Sequence, residues 1–479
     1  MRELFCKPAS DTLDYVVDFR RSLRQGERIT SATATVTETP EGLQILKVEF
    51  SSETVTVWLL GGRDLDRHTV TVSMKTSAER EMTRDFLVDI HGTAERPPEV
   101  APVDTSVTVG FLNTYVPGAR LRTDGASIVR TTGEQVVIKA INWFGFESSN
   151  RIVHGLWAVG YKAAIDQMAA MGFNAIRLPF AADTFNGTRP TGVDFTKPGN
   201  TVFQVTGTGN VKPALDCMDI IINYAAEKGM WVLLDHHRRA VGTGADGNPT
   251  SSTYTEAQWI ATWQTLAARY GGNPAVIGAD LYNEPHQLTW NDWAGMAERC
   301  GNAIHLIAPD WLIVVEGVGS YNGRSYWQGG QLMGVRDRPV ALSIQNRLVY
   351  SPHEYGQSVA TQPWLKTDAQ PNVQNWPVNL DGMWRDNWGY IAEQGIAPIF
   401  IGEFGGKLGF NGSGVDNQPN GANEREWFNR LVAKITAEGT STAFWSFNPN
   451  SADTGGIVQD DWKTPQLGKL ALLQPYLGS

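Results

Sequence analysis

The 479-residue sequence predicts two domains of different class, a small all-β immunoglobulin-like sandwich followed by an α/β domain built as a (β/α)8 barrel. Three observations predict this. Charged residues fill 30 of the first 100 positions but only 60 of the remaining 379. Tryptophan runs the other way, with Trp58 before residue 101 and 16 tryptophans after it. The apolar period also changes, from two residues in the first part to strands alternating with 3.6-period helices in the second. Glu95-Arg96-Pro97-Pro98-Glu99-Val100-Ala101-Pro102 reads as a proline-rich linker between the parts. The expected division is a sandwich over 1–94, a linker over 95–112 and the barrel over 113–479.

In the first part, Ile29–Glu38, Gly42–Ser51, Glu53–Leu60, Thr69–Lys75 and Asp85–Ile90 are rich in β-branched residues and alternate, with Gly61-Gly62 as a turn signal. About 80 residues of short alternating strands suit a small immunoglobulin-like sandwich. Asp14-Tyr15-Val16-Val17-Asp18-Phe19, Ile29-Thr30-Ser31 and Val55-Thr56-Val57-Trp58-Leu59 resemble small sandwich modules of bacteriophage structural proteins. That resemblance implies a spacer or a module attaching to a particle or surface. A glycan-binding role has the support of one tryptophan only.

In the second part a polar hairpin, Leu121–Thr132, precedes the apolar run Val136–Phe146. Helices are predicted over Tyr161–Met171, Ala214–Lys228, Thr255–Tyr270, Asn291–Ile307, Asn379–Gln394 and Asn423–Glu438, several closed by a glycine that suits a helix C-terminus. Apolar strands are predicted over Ala175–Phe180, Trp231–Asp235, Val276–Tyr282, Leu312–Glu316, Leu348–Ser351, Pro398–Ile401 and Thr442–Phe447. Strands apolar on both faces indicate a buried parallel sheet, and eight of them favour a closed barrel.

Composition excludes several classes. A net charge of −10 offers no footprint for nucleic acid. No run approaches the roughly 18–20 apolar residues that span a membrane. Cys6, Cys217 and Cys300 have no metal-site spacing, and no phosphate-binding glycine motif or G-x-S-x-G elbow is present. Met1-Arg2-Glu3-Leu4 lacks signal-peptide features.

The polar residues fall where a barrel places its active site, at the C-terminal ends of the strands. The strands end in Asn142-Trp143, contain Arg177, and end in Asp235-His236-His237, Asn283-Glu284, Glu316, His353-Glu354-Tyr355, Glu403 and Trp445. Two glutamates on separate strands suit glycoside hydrolysis, in which one carboxyl is protonated and the other ionised. Neither metal nor cofactor is expected. The histidine pair is read against a metal site, since strand neighbours face opposite sides, so His236 points away if His237 points in. Trp231, Trp259 and Trp311 are expected in the core, and Trp143, Trp157, Trp290 and Trp327 are candidate sugar platforms. The loop Phe410–Asn423 is read as a rim rather than a calcium site.

Asn174-Ala175-Ile176-Arg177-Leu178-Pro179, Leu234-Asp235-His236-His237-Arg238, Leu281-Tyr282-Asn283-Glu284-Pro285-His286, Ser351-Pro352-His353-Glu354-Tyr355, Gly402-Glu403-Phe404-Gly405 and Phe444-Trp445-Ser446-Phe447-Asn448-Pro449 occur in the order found in glycoside hydrolase family 5. Asn142-Trp143-Phe144-Gly145-Phe146-Glu147, Glu316-Gly317-Val318 and Asp453-Thr454-Gly455-Gly456-Ile457 are most similar to its bacterial cellulase subgroup, and the likeness spans about 115–465. It implies a retaining endo-β-1,4-glucanase with Glu284 as acid/base and Glu403 as nucleophile, about 5–5.5 Å apart. Asn283 would bond the sugar 2-hydroxyl, Arg177 and Tyr355 would hold Glu403, His237 and His353 would line the subsite, and Trp445 would form its floor. Glu316 would be structural. Mannan, xylan and xyloglucan are alternative substrates, and a non-catalytic glycan-binding particle protein is the alternative class. A polymeric β-linked substrate implies action outside the cell, by phage association, by release on lysis, or through a leader absent from this sequence.

Overall fold

β-branched and aromatic residues at every second position extend the first unit into seven strands, whose alternation buries one face and wets the other. They are β1 (Glu3–Pro8), β2 (Thr12–Asp18), β3 (Ile29–Thr37), β4 (Leu43–Phe50), β5 (Thr54–Gly61), β6 (Arg67–Thr76) and β7 (Glu81–His91). This computed structural model describes residues 3–8, 12–19, 22–24, 26–37, 43–61, 67–91 and 120–478, and the chain divides into two units, Met1–Val107 and Thr108–Ser479. The proposed linker, 95–112, lies outside the described residues. One sheet of the first unit runs β1-β7-β6-β3 and the other β2-β5-β4. Tyr15, Val17, Val55, Val57 and Leu59 from one sheet meet Val70, Val72, Phe86 and Val88 from the other in a single core. β1, which the sequence reading does not contain, pairs parallel with β7. Its six residues show no apolar alternation, so only that distant partner defines it.

The second unit opens with a hairpin, β8 (Leu121–Asp124) and β9 (Ser127–Arg130). Then come β10 (Lys139–Asn142), α1 (Tyr161–Ala170), β11 (Ala175–Ala181), α2 (Ala214–Glu227), β12 (Trp231–Arg238), α3 (Glu256–Tyr270), β13 (Val276–Asp280), α4 (Trp290–His305) and β14 (Leu312–Glu316). A ribbon, β15 (Ser320–Tyr321) and β16 (Arg324–Ser325), precedes β17 (Leu348–Ser351) and β18 (His353–Tyr355). The unit ends with α5 (Asn379–Trp384), α6 (Tyr390–Glu393), β19 (Phe400–Gly405), α7 (Gly421–Glu438), β20 (Ser441–Phe444) and α8 (Leu467–Leu477).

The large sheet is parallel throughout, in the order β17-β14-β13-β12-β11-β10-β20-β19-β18. β17 and β18 flank Pro352, which has no N–H to donate and so interrupts what is one strand. The sheet therefore returns on itself, and a parallel Tyr350–Ile399 bridge completes a (β/α)8 barrel.

Side-chain alternation divides each strand between two environments. Ile176, Leu178, Val232, Leu234, Ile313, Val315 and Phe444 point outward and pack with the helices. Ala140, Leu233, Val314, Val349, Phe400 and Ala443 point inward and fill the lower barrel, with Leu121 and Ile128 of the hairpin in the same cluster. The next inward layer is polar, and it carries the site.

Two helical expectations change. The helix expected over 379–394 is two helices joined by a π turn at Arg385–Gly389, with Trp384 and Trp388 both buried. α8 was not expected; it is apolar nearly all round and contains Pro475, so it shows no helical stripe.

Candidate active site

Arg177 is the hub of the polar layer. It projects inward from β11 and is fully buried. Its Nε donates to Asp280 Oδ2 at 2.9 Å. Nη1 donates to Glu403 Oε1 at 2.8 Å and Asn142 Oδ1 at 3.0 Å, and lies 3.0 Å from Asp235 Oδ2. Nη2 donates to Glu316 Oε1 at 2.9 Å and Asn283 Oδ1 at 3.1 Å. A planar guanidinium has five N–H donors in one fork, so a single residue sets the positions of six strand-end groups.

Glu403 receives Arg177 on one carboxylate oxygen and the Tyr355 hydroxyl on the other. Burial pushes its carboxyl above the ordinary range, and His353, Arg177 and His237 pull against that. Glu284 is more open, with its side chain 17% exposed. Its backbone is left-handed, at φ 48°, a conformation costing a non-glycine residue about 1–3 kcal/mol. The Glu316 carboxylate accepts the Glu284 N–H at 2.7 Å and holds it there. Gly329 lets the following loop approach, because a Cβ at this position would meet Glu316 Oε2 at 2.7 Å.

His353 lies between the glutamates. Nδ1 bonds Glu284 Oε1 at 3.0 Å and is 3.6 Å from Glu403 Oε2, while Nε2 is 3.2 Å from Glu316 Oε1. Burial alone would discharge the ring, but Glu316, Glu403 and Glu284 hold it protonated well above the ordinary histidine range. An oxygen of Glu284, one of Glu403 and a ring nitrogen of His353 all lie within 4.8 Å of one another. His237 Nδ1 bonds Asp235 Oδ2 at 2.7 Å. Burial opposes its charge too, yet Asp235, Glu403 and Glu147 raise it to about 9. His236 faces the other way, stacks on Phe180 and is lowered by burial to about 4.

The aromatic candidates separate by strand parity. Trp445 projects inward and lies near-parallel to Phe144 and His237, at 5.4 and 5.6 Å between centroids. Trp143, read as a sugar platform, points outward; it is fully buried and its Nε1 donates to the His154 carbonyl at 3.0 Å. Its neighbour Phe144 is the partly exposed ring at the mouth. Trp290 is likewise core, bonded to the Arg338 carbonyl at 2.8 Å. Trp327 is mostly buried, edge-on to Tyr355, and Trp157 is 38% exposed. Trp231, Trp259 and Trp311 lie in the core.

The sequence reading missed Asp280. The register of β12 against β13 shifts by one residue, pairing Val232 with Val276 but Leu233 with Gly278. That bulge turns Asp280 inward beside Asp235, where plain alternation from Val276 would face it outward. The signal was a lone acid in an apolar strand. Asp235, Asp280 and Glu316 bring carboxylate oxygens within 4.8 Å of one another, a spacing that could hold a cation. Arg177 supplies that charge, within 3.0 Å of all three.

A model of cellulases, glycosyl hydrolase family 5, matches residues 129–451. The chain belongs to glycosyl hydrolase family 5. Among family 5 relatives, an endoglucanase of Paenibacillus polymyxa is 41% identical over 71% of this chain and 83% of its own length. The major extracellular endoglucanase of Xanthomonas campestris is 37% identical over 74% of this chain and 70% of its own. An endocellulase of Pyrococcus horikoshii, solved with cellotetraose, is 36% identical with a TM-score of 0.66, over 76% of this chain and 100% of that one. Outside the family 5 part, a model of the podophage GP4 fiber-tail adaptor protein gp77 matches residues 7–89.

Proposed function

We infer that the chain is an endo-β-1,4-glucanase that cleaves internal bonds of cellulose or a related β-glucan with retention of configuration. The observation that carries this is the pair Glu284 and Glu403, with carboxylate oxygens within 4.8 Å across His353. Retaining enzymes need their two carboxyls only about 5–5.5 Å apart, because one attacks the sugar directly; inverting enzymes leave about 6.5–9.5 Å for a water.

The chemistry follows from the surroundings. Glu403, kept ionised by Arg177 and Tyr355, attacks the anomeric carbon while Glu284 gives its proton to the departing glycosidic oxygen. Glu284, now a carboxylate, takes a proton from water, which displaces Glu403 from the glycosyl ester. Asn283 is positioned for the 2-hydroxyl, and Trp445 with Phe144 offers a flat floor for pyranose rings. Reducing-sugar release from carboxymethyl-cellulose tests the reading. Glu284→Gln and Glu403→Gln each lower it by about 10²–10⁴-fold or more. Activity surviving Glu403→Gln refutes the nucleophile, and faster hydrolysis of mannan, xylan or xyloglucan in a parallel panel refutes the substrate.

A polymer of this kind cannot cross into a cell, so the site acts outside one. The first unit is, on this reading, the attachment module that carries the glucanase on a phage-type particle. The adaptor likeness over 7–89 supports it. Removing residues 1–107 is expected to leave hydrolysis of a soluble glucan unchanged and to abolish co-sedimentation with tailed phage particles. Co-sedimentation that survives the deletion refutes it.

A further inference from the structure

The hydrolytic chemistry makes no use of Asp280, yet this carboxyl is fully buried at the centre of the charge cluster. Counting donors distinguishes it from its neighbours. Asp235 receives His237 Nδ1 and lies against Arg177 Nη1. Glu316 receives Arg177 Nη2 and the Glu284 N–H, with His353 Nε2 at 3.2 Å. Glu403 receives Arg177 Nη1 and the Tyr355 hydroxyl. Asp280 receives Arg177 Nε alone; its Oδ1, like Asp235 Oδ1, has no hydrogen-bond partner among the described residues, so the number of donors is what separates the two.

The charges around it do not balance if every carboxyl is ionised. Arg177, His237 and His353 are three buried cations, and around them lie five buried carboxyls, those of Asp235, Asp280, Glu316, Glu403 and, beside His237, Glu147, with the more open Glu284 against His353. Asp280 is faced by Arg177 from β11, Asp235 from β12 and Glu316 from β14, and both carboxyls are like charges within 4.8 Å. Acids sharing a dry site in this way cannot all ionise, and the proton stays where fewest donors compensate the charge. Burial, and after it Glu316, hold Asp280 well above the ordinary carboxylate range, whereas at Asp235 burial is outweighed by Arg177 and His237.

We propose that Asp280 carries a proton in the working enzyme and serves as an uncharged positioning residue, which fixes the Arg177 fork through Nε and leaves its charge to Glu403. An ionised Asp280 would share that charge and weaken the hold on the Glu403 carboxylate. The inference rests on the reading of Glu403 as nucleophile.

The test uses the full chain. Asp280→Asn, a neutral near-isostere, is expected to keep kcat/KM on carboxymethyl-cellulose within about threefold and to leave the acidic limb of the pH profile in place. Asp280→Ala removes the acceptor, and kcat is expected to fall by about ten- to a hundredfold with KM little changed. A limb displaced by about half a unit or more in Asp280→Asn, or a loss as large as that of Asp280→Ala, overturns the proposal. Neutron diffraction from wild-type crystals at neutral pD covers the case in which neither variant folds. Deuterium on the Asp280 carboxyl is expected, and a bare carboxylate there overturns the proposal. Failure of the Glu403→Gln test would instead remove the nucleophile, leaving the neutron result on Asp280 to stand by itself.

Discussion

His236 and His237 are neighbours on one strand and live in opposite chemistry. His236 faces the layer between barrel and helices, among Phe180, Trp263 and Tyr282, and is held neutral down to about pH 4. His237 faces the barrel mouth, bonds Asp235 and keeps its proton up to about 9. Both are buried, so burial is not what separates them. The difference is the partner each face supplies: aromatic edges on one side, carboxylates on the other. The same division runs round the barrel, with an apolar outer face that provides rigidity and a polar inner layer in which several carboxyls converge on Arg177, His237 and His353.

The largest way to break that contrast is to remove the hub. Arg177→Met leaves several buried carboxyls without their cation, and a destabilisation of about 3–5 kcal/mol is expected from thermal or denaturant unfolding, with hydrolysis lost. Retained stability would show that the inner layer is not matched through Arg177. Next comes Tyr355→Phe, which removes one hydroxyl from Glu403 and little else. A charge-assisted hydrogen bond of about 1.5–3 kcal/mol corresponds to a loss of roughly 10–100-fold in kcat, with an unchanged melting temperature.

Titration sharpens the comparison without a mutation. His237 is raised above its ordinary 6.5, so its contribution to stability is complete below that pH and is lost as pH climbs through about 9. His236 is lowered, so its contribution is complete above 6.5 and is lost as pH falls toward about 4. Ring proton resonances followed against pH should show two transitions on opposite sides of neutrality; two coincident ones would erase the contrast. The smallest expected effect is that of His236→Phe, which keeps a flat ring on the outer face. Its kcat should stay within about threefold of wild type, because the change is made away from the polar layer.

Much of this was readable beforehand. Strand ends carrying Arg177, Asn283-Glu284, His353-Glu354-Tyr355, Glu403 and Trp445 identify the mouth of the barrel, since alternation and polarity are local properties. Trp143 shows the limit. The pattern places a tryptophan beside Asn142, but which of Trp143 and Phe144 faces the mouth follows from the parity of β10 against its neighbours. The structure assigns that position to Phe144.

By itself the sequence determined the barrel and its family, and it pointed to a two-part chain and to Glu284 and Glu403 as the candidate pair, because periodicity, composition and motif order are written along the chain. Only the tertiary structure decided that Asp280 turns inward, that Glu316 holds the backbone of Glu284, and that adjacent histidines titrate at about 4 and about 9. Those facts depend on a one-residue bulge between β12 and β13 and on which carboxylates converge from separate strands. Convergence of residues from separate strands, 32 positions apart for Glu284 and Glu316 and 226 for Arg177 and Glu403, is a property of closure, and no local pattern records it.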